Sequence, residues 1–138
     1  MQNVQIIEDY FVYQLDFTAL VGGTTANSSI QIQADSDFKW VKASYHANIT
    51  NALLTDSTRI IALATVNITD TGSGRQLMSA PVPIENIFGT GLVPYILPVP
   101  RIFRARSTIS VSLANFTAAT TYNIRLSLIG TKLFKMTG

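Results

Sequence analysis

The sequence predicts an all-β fold: a single-domain antiparallel β-sandwich of jelly-roll-like form, with about eight strands and one proline-rich extended arm. Three observations predict it. Apolar and polar residues alternate with period two along most of the chain. The alternating runs are short and are punctuated by Gly, Ser, Thr and Asn clusters. No segment carries the 3.6-residue apolar repeat of a long helix. A closed up-and-down barrel satisfies the same pattern. The 138 residues suit one domain spanning 1–138. With no cysteine, the core must hold without disulfides, which suits assembly in a reducing compartment.

At the N-terminus, Met1 to Asp9 show no basic leader ahead of an apolar run, so no signal peptide is expected. Residues 1–10 are read as an N-terminal arm, and the pattern leaves open whether it swaps between subunits. Phe11, Tyr13, Leu15 and Phe17 make the apolar face of the first expected strand, which Gly22-Gly23-Thr24-Thr25 breaks. Ile30, Ile32 and Ala34 follow, then Val41, Ala43, Tyr45, Ala47 and Ile49. Asn51-Ala52-Leu53-Leu54 is long enough for one helical turn. Ile60, Ala62, Ala64, Val66 and Ile68 form the next run, ended by the turn signal Asp70-Thr71-Gly72-Ser73-Gly74. Near the C-terminus, Ile109, Val111 and Leu113 make one strand and Tyr122, Ile124, Leu126 and Leu128 another. Gly130 is expected to end it, leaving a short last strand at Lys132-Leu133-Phe134.

Residues 81–106 break the pattern. All five prolines, Pro81, Pro83, Pro94, Pro98 and Pro100, fall there, and proline cannot donate to a β ladder, so the segment is an edge, a linker or an arm. It is nevertheless apolar, with no charge from Asn86 to Pro100. Such a stretch either folds across its own sandwich or packs on a neighbouring subunit, and the two are compatible.

Composition points the same way. Thr, Ser, Asn and Gln total 41 residues against 18 charged ones, well below the roughly 25–35 % charge usual for a small soluble surface. The composition fits either an ordinary Thr-rich β protein or one whose surface is largely covered by other subunits. Residues 1–85 hold all eight acids and four bases, a balance of −4, whereas residues 86–138 hold six bases and no acid, a balance of +6. A basic end meets either nucleic acid or an acidic protein surface. No aromatics interleave with the bases as in single-strand binders, so protein contact without direct nucleic-acid binding is expected. No stretch reaches the roughly 18–20 apolar residues of a membrane helix, so no membrane partner is expected.

The inventory for catalysis is thin, and the chain is expected not to be an enzyme and to need no cofactor or metal. One histidine and no cysteine cannot assemble a His/Cys zinc site. His46 shares parity with Lys42 and Ser44 on a polar face. No serine sits in a Gly-x-Ser-x-Gly elbow. Gly72-Ser73-Gly74 lacks the Gly-Lys-Ser/Thr ending and the following helix of a phosphate loop. Asp35-Ser36-Asp37 has carboxylates of the kind calcium takes, but two acids at a turn are more often turn residues. Four Asn-x-Ser/Thr sequons, at Asn27, Asn48, Asn67 and Asn115, are read as turn and polar-face residues.

The order of features resembles a group of small tailed-bacteriophage structural proteins, the auxiliary head decoration or cement proteins. The segments that carry the resemblance run from Ile32-Gln33-Ala34-Asp35-Ser36-Asp37-Phe38-Lys39-Trp40 through Val66-Asn67-Ile68-Thr69-Asp70-Thr71-Gly72-Ser73-Gly74-Arg75 to Val82-Pro83-Ile84-Glu85-Asn86-Ile87-Phe88-Gly89-Thr90. They continue with Pro94-Tyr95-Ile96-Leu97-Pro98, Arg101-Ile102-Phe103, Ser107 to Asn115 and Ile124 to Phe134. The resemblance implies a β-sandwich or jelly roll on the outside of an icosahedral head, made in the host cytoplasm. There it would act as a homodimer or homotrimer bridging major capsid subunits and resisting the pressure of packaged DNA. It carries no binding residues over. From composition and pattern, the expected contacts are Phe88 and Tyr95 as aromatic anchors, Ile96 and Leu97 beside them, and the bases Arg101, Arg104 and Arg106. The alternative is a head-fibre, tail or host-attachment module that holds carbohydrate or a receptor, with Trp40, Tyr45 and Tyr95 stacking on sugars.

Overall fold

A computed structural model describes residues 4–49, 62–90 and 93–137. Among the described residues, nine strands form two antiparallel sheets. They are β1 (Val4–Leu20), β2 (Thr25–Gln31), β3 (Asp37–Ile49), β4 (Ala64–Asp70), β5 (Arg75–Gln76), β6 (Val82–Pro83), β7 (Tyr95–Phe103), β8 (Thr108–Asn115) and β9 (Tyr122–Thr137); Ile84–Asn86 form a short 3-10 turn. The first sheet has the order β1-β9-β3-β7; the second runs β2-β8-β4-β5, with β6 also paired to β4. This is the all-β sandwich that the period-two pattern predicts. The expected helical turn at Asn51–Leu54, and Ile60 of the fourth run, lie outside the described residues.

Alternation decides which side chains meet. On β4, Ala64, Val66, Ile68 and Asp70 are buried while the residues between are half-exposed. On β8, Ile109, Val111 and Leu113 do the same. From the first sheet, Leu15, Phe38, Trp40, Ile124, Leu126 and Leu128 fill the other half of the core. Phe103 stacks on Trp40 with ring centroids 6.1 Å apart. A fully buried side chain of this size contributes roughly 1.5–3 kcal/mol, so these two inward faces supply most of the drive to fold.

Two expectations about strand limits need correction. β1 begins at Val4, not near Phe11, because residues 4–10 pair in register with the end of β9, from Val4 opposite Thr137 to Tyr10 opposite Thr131. The first ten residues are therefore held in their own sheet as far as they are described. Gly130 does not end the last strand; β9 runs through it. Its neighbour explains why a glycine stands there. Trp40 pairs with Gly130 and Lys42 with Ile129, so Val41 is an extra residue on β3. That bulge drives the Lys39 carbonyl onto Gly130, where a Cβ would collide with it.

The proline-rich segment folds across its own sandwich. Ile84, Phe88 and Phe103 are buried in the core. Gly89 bridges β3 by accepting from the Tyr45 amide (2.7 Å) and donating to the Ala43 carbonyl (3.2 Å). Pro98 and Pro100 lie on β7, which is the outer strand of its sheet, where a missing N–H costs no ladder bond. Between Trp40 opposite Arg101 and Lys42 opposite Ile96, four residues of β7 stand against Val41 alone. Leu97-Pro98-Val99-Pro100 therefore loops away from β3. The indole of Trp40 donates to the Lys42 carbonyl (2.6 Å), beside this interruption in the ladder.

Candidate protein-contact surface

The register places three connections at one end of the sandwich. Gln31 pairs with Thr108, Asp70 with Ile109, and Phe38 with Phe103. The loops 32–36, 71–74 and 104–107 are consequently neighbours. Backbone bonds tie them: Ile32 donates to Ser107 (2.8 Å), Arg106 to Ile32 (2.9 Å) and Thr71 to Thr108 (2.9 Å). The Asp37 carboxylate accepts from the Ala105 amide (2.9 Å). The paired ends of β1 and β9 lie at this end too, since Asp37 at the start of β3 is opposite Leu133 and β1 and β9 continue past it.

Between these turns lies a groove of about 460 Å³ lined by Asp70, Gly72, Ser73, Arg75, Ile102 and residues 104–107. Its one acid, Asp70, is buried and fully engaged. One oxygen accepts from the Gly72 amide (3.0 Å); the other accepts from the Ser73 hydroxyl (3.0 Å) and faces Arg101 at 3.7 Å. Arg75, Arg104 and Arg106 are exposed and have no ion pair among the described residues.

A second groove, of similar volume, is apolar. Trp40, Leu77, Ile87, Tyr95, Leu97 and the β7 loop-out line it. On β7, Ile96 (62 % exposed), Val99 (78 %) and Ile102 (55 %) are large apolar side chains open to solvent; Val99, in the loop-out, borders the apolar groove, and Ile102 borders the arginine-lined one.

Of the expected contact residues, Phe88 is displaced. It is 1 % exposed, packed 6.4 Å from the Trp40 ring, and belongs to the core because the 3-10 turn before it directs it inward. Tyr95 and Leu97 are half-buried on the inward side of β7, and Ile96 is exposed on the outer side. Arg101 also points inward, over the Phe103 ring (5.6 Å) and toward Asp70. Arg104 and Arg106 are free at the surface and share the groove. Sequence reasoning missed Arg75, which the turn 71–74 brings to Arg104 and Arg106 from far away in the chain. It also left out Val99 and Ile102, which strand parity alone cannot place across a loop-out.

Other candidates are accounted for structurally. Asp35 pairs with Lys132 (3.1 Å), which also donates to Gln33 and sits over the Phe11 ring. No group of three His, Cys, Asp or Glu residues could hold a metal among the described residues. His46 is half-buried on the outer face of its sheet, in register with Arg125. Asn48 and Asn115 are buried rather than on a polar face; Asn115 donates to the carbonyls of Leu20 (2.9 Å) and Thr120 (2.8 Å) and closes the opposite end. Trp40 and Tyr45 are buried too, which removes two of the three aromatics a sugar would stack on.

No protein-family model and no curated protein matches the chain. Among solved structures, it is similar to that of the infectious bursal disease virus Gt strain, at 13 % identity and a TM-score of 0.25. It is also similar to the crystal structure of the infectious bursal disease virus VP2 subviral particle, at 11 % identity and a TM-score of 0.25. Each alignment covers 98 % of this chain and 42 % of the viral one, so the chain spans well under half the length of those proteins. A likeness at this TM-score carries no argument about function.

Proposed function

We propose that the chain is a virion structural protein that decorates the exterior of an icosahedral capsid and stabilises it by bridging major capsid subunits, as a homo-oligomer and without enzymatic activity. The observation that carries this reading is the exposed apolar character of the edge strand β7. Ile96, Val99 and Ile102 stay exposed on an edge strand, and Ile102 lines the arginine-bearing groove at one end of the sandwich. Exposed apolar residues of this kind favour burial against another protein, and bases at their margin steer and orient that contact. The low charge of the chain and the resemblance to phage decoration proteins add to it. Repetition over an icosahedral lattice supplies avidity, so each contact need bury only about the 1,200–2,000 Å² of a standard interface.

The test is to add purified protein to expanded heads that lack it. Saturable occupancy and a raised disruption temperature of the heads are expected. Failure to bind, together with affinity for host cells or glycans, would replace this reading with the attachment module.

A further inference from the structure

We propose that the groove between the 71–75 and 104–107 turns is a carboxylate-binding site, in which Arg75, Arg104 and Arg106 receive an acidic loop of a partner protein. The chemistry follows from the groove; that the partner is a capsid subunit rests on the function proposed above.

Three observations converge. First, the charge is unmatched. Asp70 is the one acid in the lining, and its two oxygens are taken by Gly72, Ser73 and Arg101. The three outer guanidinium groups have no carboxylate among the described residues. Second, Arg106 has φ of +69°, a left-handed conformation that costs an L side chain and favours glycine. It stands third in a tight turn, where the Arg104 carbonyl accepts from the Ser107 amide (3.1 Å) and hydroxyl (2.6 Å). The strain at Arg106, where a glycine would be relaxed, together with its place in the groove lining, points to use of its side chain. Third, the walls are held in place by Ile32–Ser107, Arg106–Ile32, Thr71–Thr108 and Asp37–Ala105 bonds, so little order must be gained on binding.

The shape selects the ligand. Guanidinium forks match carboxylates in bidentate geometry, and a groove of about 460 Å³ accommodates two or three such groups. Duplex DNA presents one charge per about 1.7 Å and requires a long basic track, whereas these arginines are gathered in one concavity with Asp70 in its lining. A short acidic loop fits better than a polyanion.

The test uses the full chain and the peptide acetyl-Gly-Glu-Asp-Glu-Gly-amide, followed through the arginine Nε–H resonances by NMR. Shifts at Arg75, Arg104 and Arg106, weakened by salt and absent at Arg125, are expected. The triple variant R75Q/R104Q/R106Q should bind about tenfold more weakly or worse with an unchanged thermal midpoint, while R125Q binds as the native protein does. No shift at millimolar peptide, equal shifts at Arg125, or tighter binding of a DNA duplex by the same arginines would each overturn the assignment. Head binding separates the two proposals. If native protein and triple variant decorate heads equally, the groove is not the contact and the capsid role stands. If neither binds heads while the peptide still binds the groove, the capsid role falls and the site stands.

Discussion

Arg101 and Asp70 join the two sheets across the open side of the sandwich, with 3.7 Å between guanidinium and carboxylate. Arg101 belongs to the edge strand β7 and points inward, while Asp70 ends β4 in the opposite sheet. The pair is mostly shielded from solvent, and Nε of Arg101 is buried with no hydrogen-bond partner among the described residues. A polar group already in this position depends on its remaining partner.

Removing that partner should therefore cost more than a surface pair would. Asp70→Asn is expected to destabilise by about 1–3 kcal/mol, because it also weakens the acceptors for Gly72 and Ser73. Arg101→Met should cost less, since its aliphatic replacement keeps contact with the Phe103 ring. Urea unfolding of both single variants and the double variant measures the coupling. A coupling near zero would show that this ion pair does not help to join the two sheets.

Gly130→Ala should be among the most damaging small substitutions in the chain. The added Cβ would meet the Lys39 carbonyl, which is backbone and cannot rotate away. A loss of about 3 kcal/mol or more, at the top of the overpacking range, is expected in denaturant unfolding. Gly74→Ala is the control: there nothing lies near the added Cβ and only the φ of +70° is unfavourable, so about 1–2 kcal/mol is expected.

These residues mark where the sequence was legible. Alternation located the core of β4 and β8 and the odd-numbered face of β1 because each strand is buried on one side only. Prolines excluded a central strand, because an unpaired N–H position alone tolerates them, but the choice of edge strand over linker or arm needed the partner strand β3. Gly130 misled because a glycine that ends a strand and one that admits a neighbouring carbonyl look alike without the partner strand. Phe88 misled because apolar character in a proline-rich segment does not say which side faces the core. Arg75 stayed hidden because its proximity to Arg104 and Arg106 is a product of register between distant strands.

Arg106→Gly should separate stability from recognition. Relief of the left-handed strain is offset by the greater freedom of glycine in the unfolded chain. The net effect is expected to lie between zero and about 1 kcal/mol of stabilisation, read as the shift in urea midpoint. The same variant should lose affinity for the acidic peptide. A clear loss of stability would mean that the Arg106 side chain contributes to the fold itself.

Alkaline titration addresses Tyr45. Burial raises its phenol above the ordinary value of 10.0, the Glu85 carboxylate raises it further, and a hydrogen bond with the Ala62 backbone opposes both. The unfolded chain gives up this proton first. Its contribution to stability is therefore whole below the unfolded value and declines as pH rises toward the folded one. Native protein should lose stability between about pH 9 and pH 11 more steeply than Tyr45→Phe. Parallel curves for the two proteins would show that Tyr45 ionises as freely as an exposed tyrosine.

The two classes of apolar residue in the proline-rich segment should respond in opposite ways. Phe88 packs against Trp40 in the core, so Phe88→Ala is expected to cost about 3–5 kcal/mol whether or not a partner is present. Ile96 and Val99 stand in solvent on β7, one on the strand and one in its loop-out, where replacement by serine changes stability by no more than about 0.5 kcal/mol. If they belong to a docking edge, Ile96→Ser with Val99→Ser should lower head occupancy markedly while the unfolding curve stays in place. Phe88→Ala would lower occupancy only in step with the fraction unfolded. Full occupancy by the double serine variant would exclude these β7 side chains from the contact and leave the arginine-lined end as the surface to map.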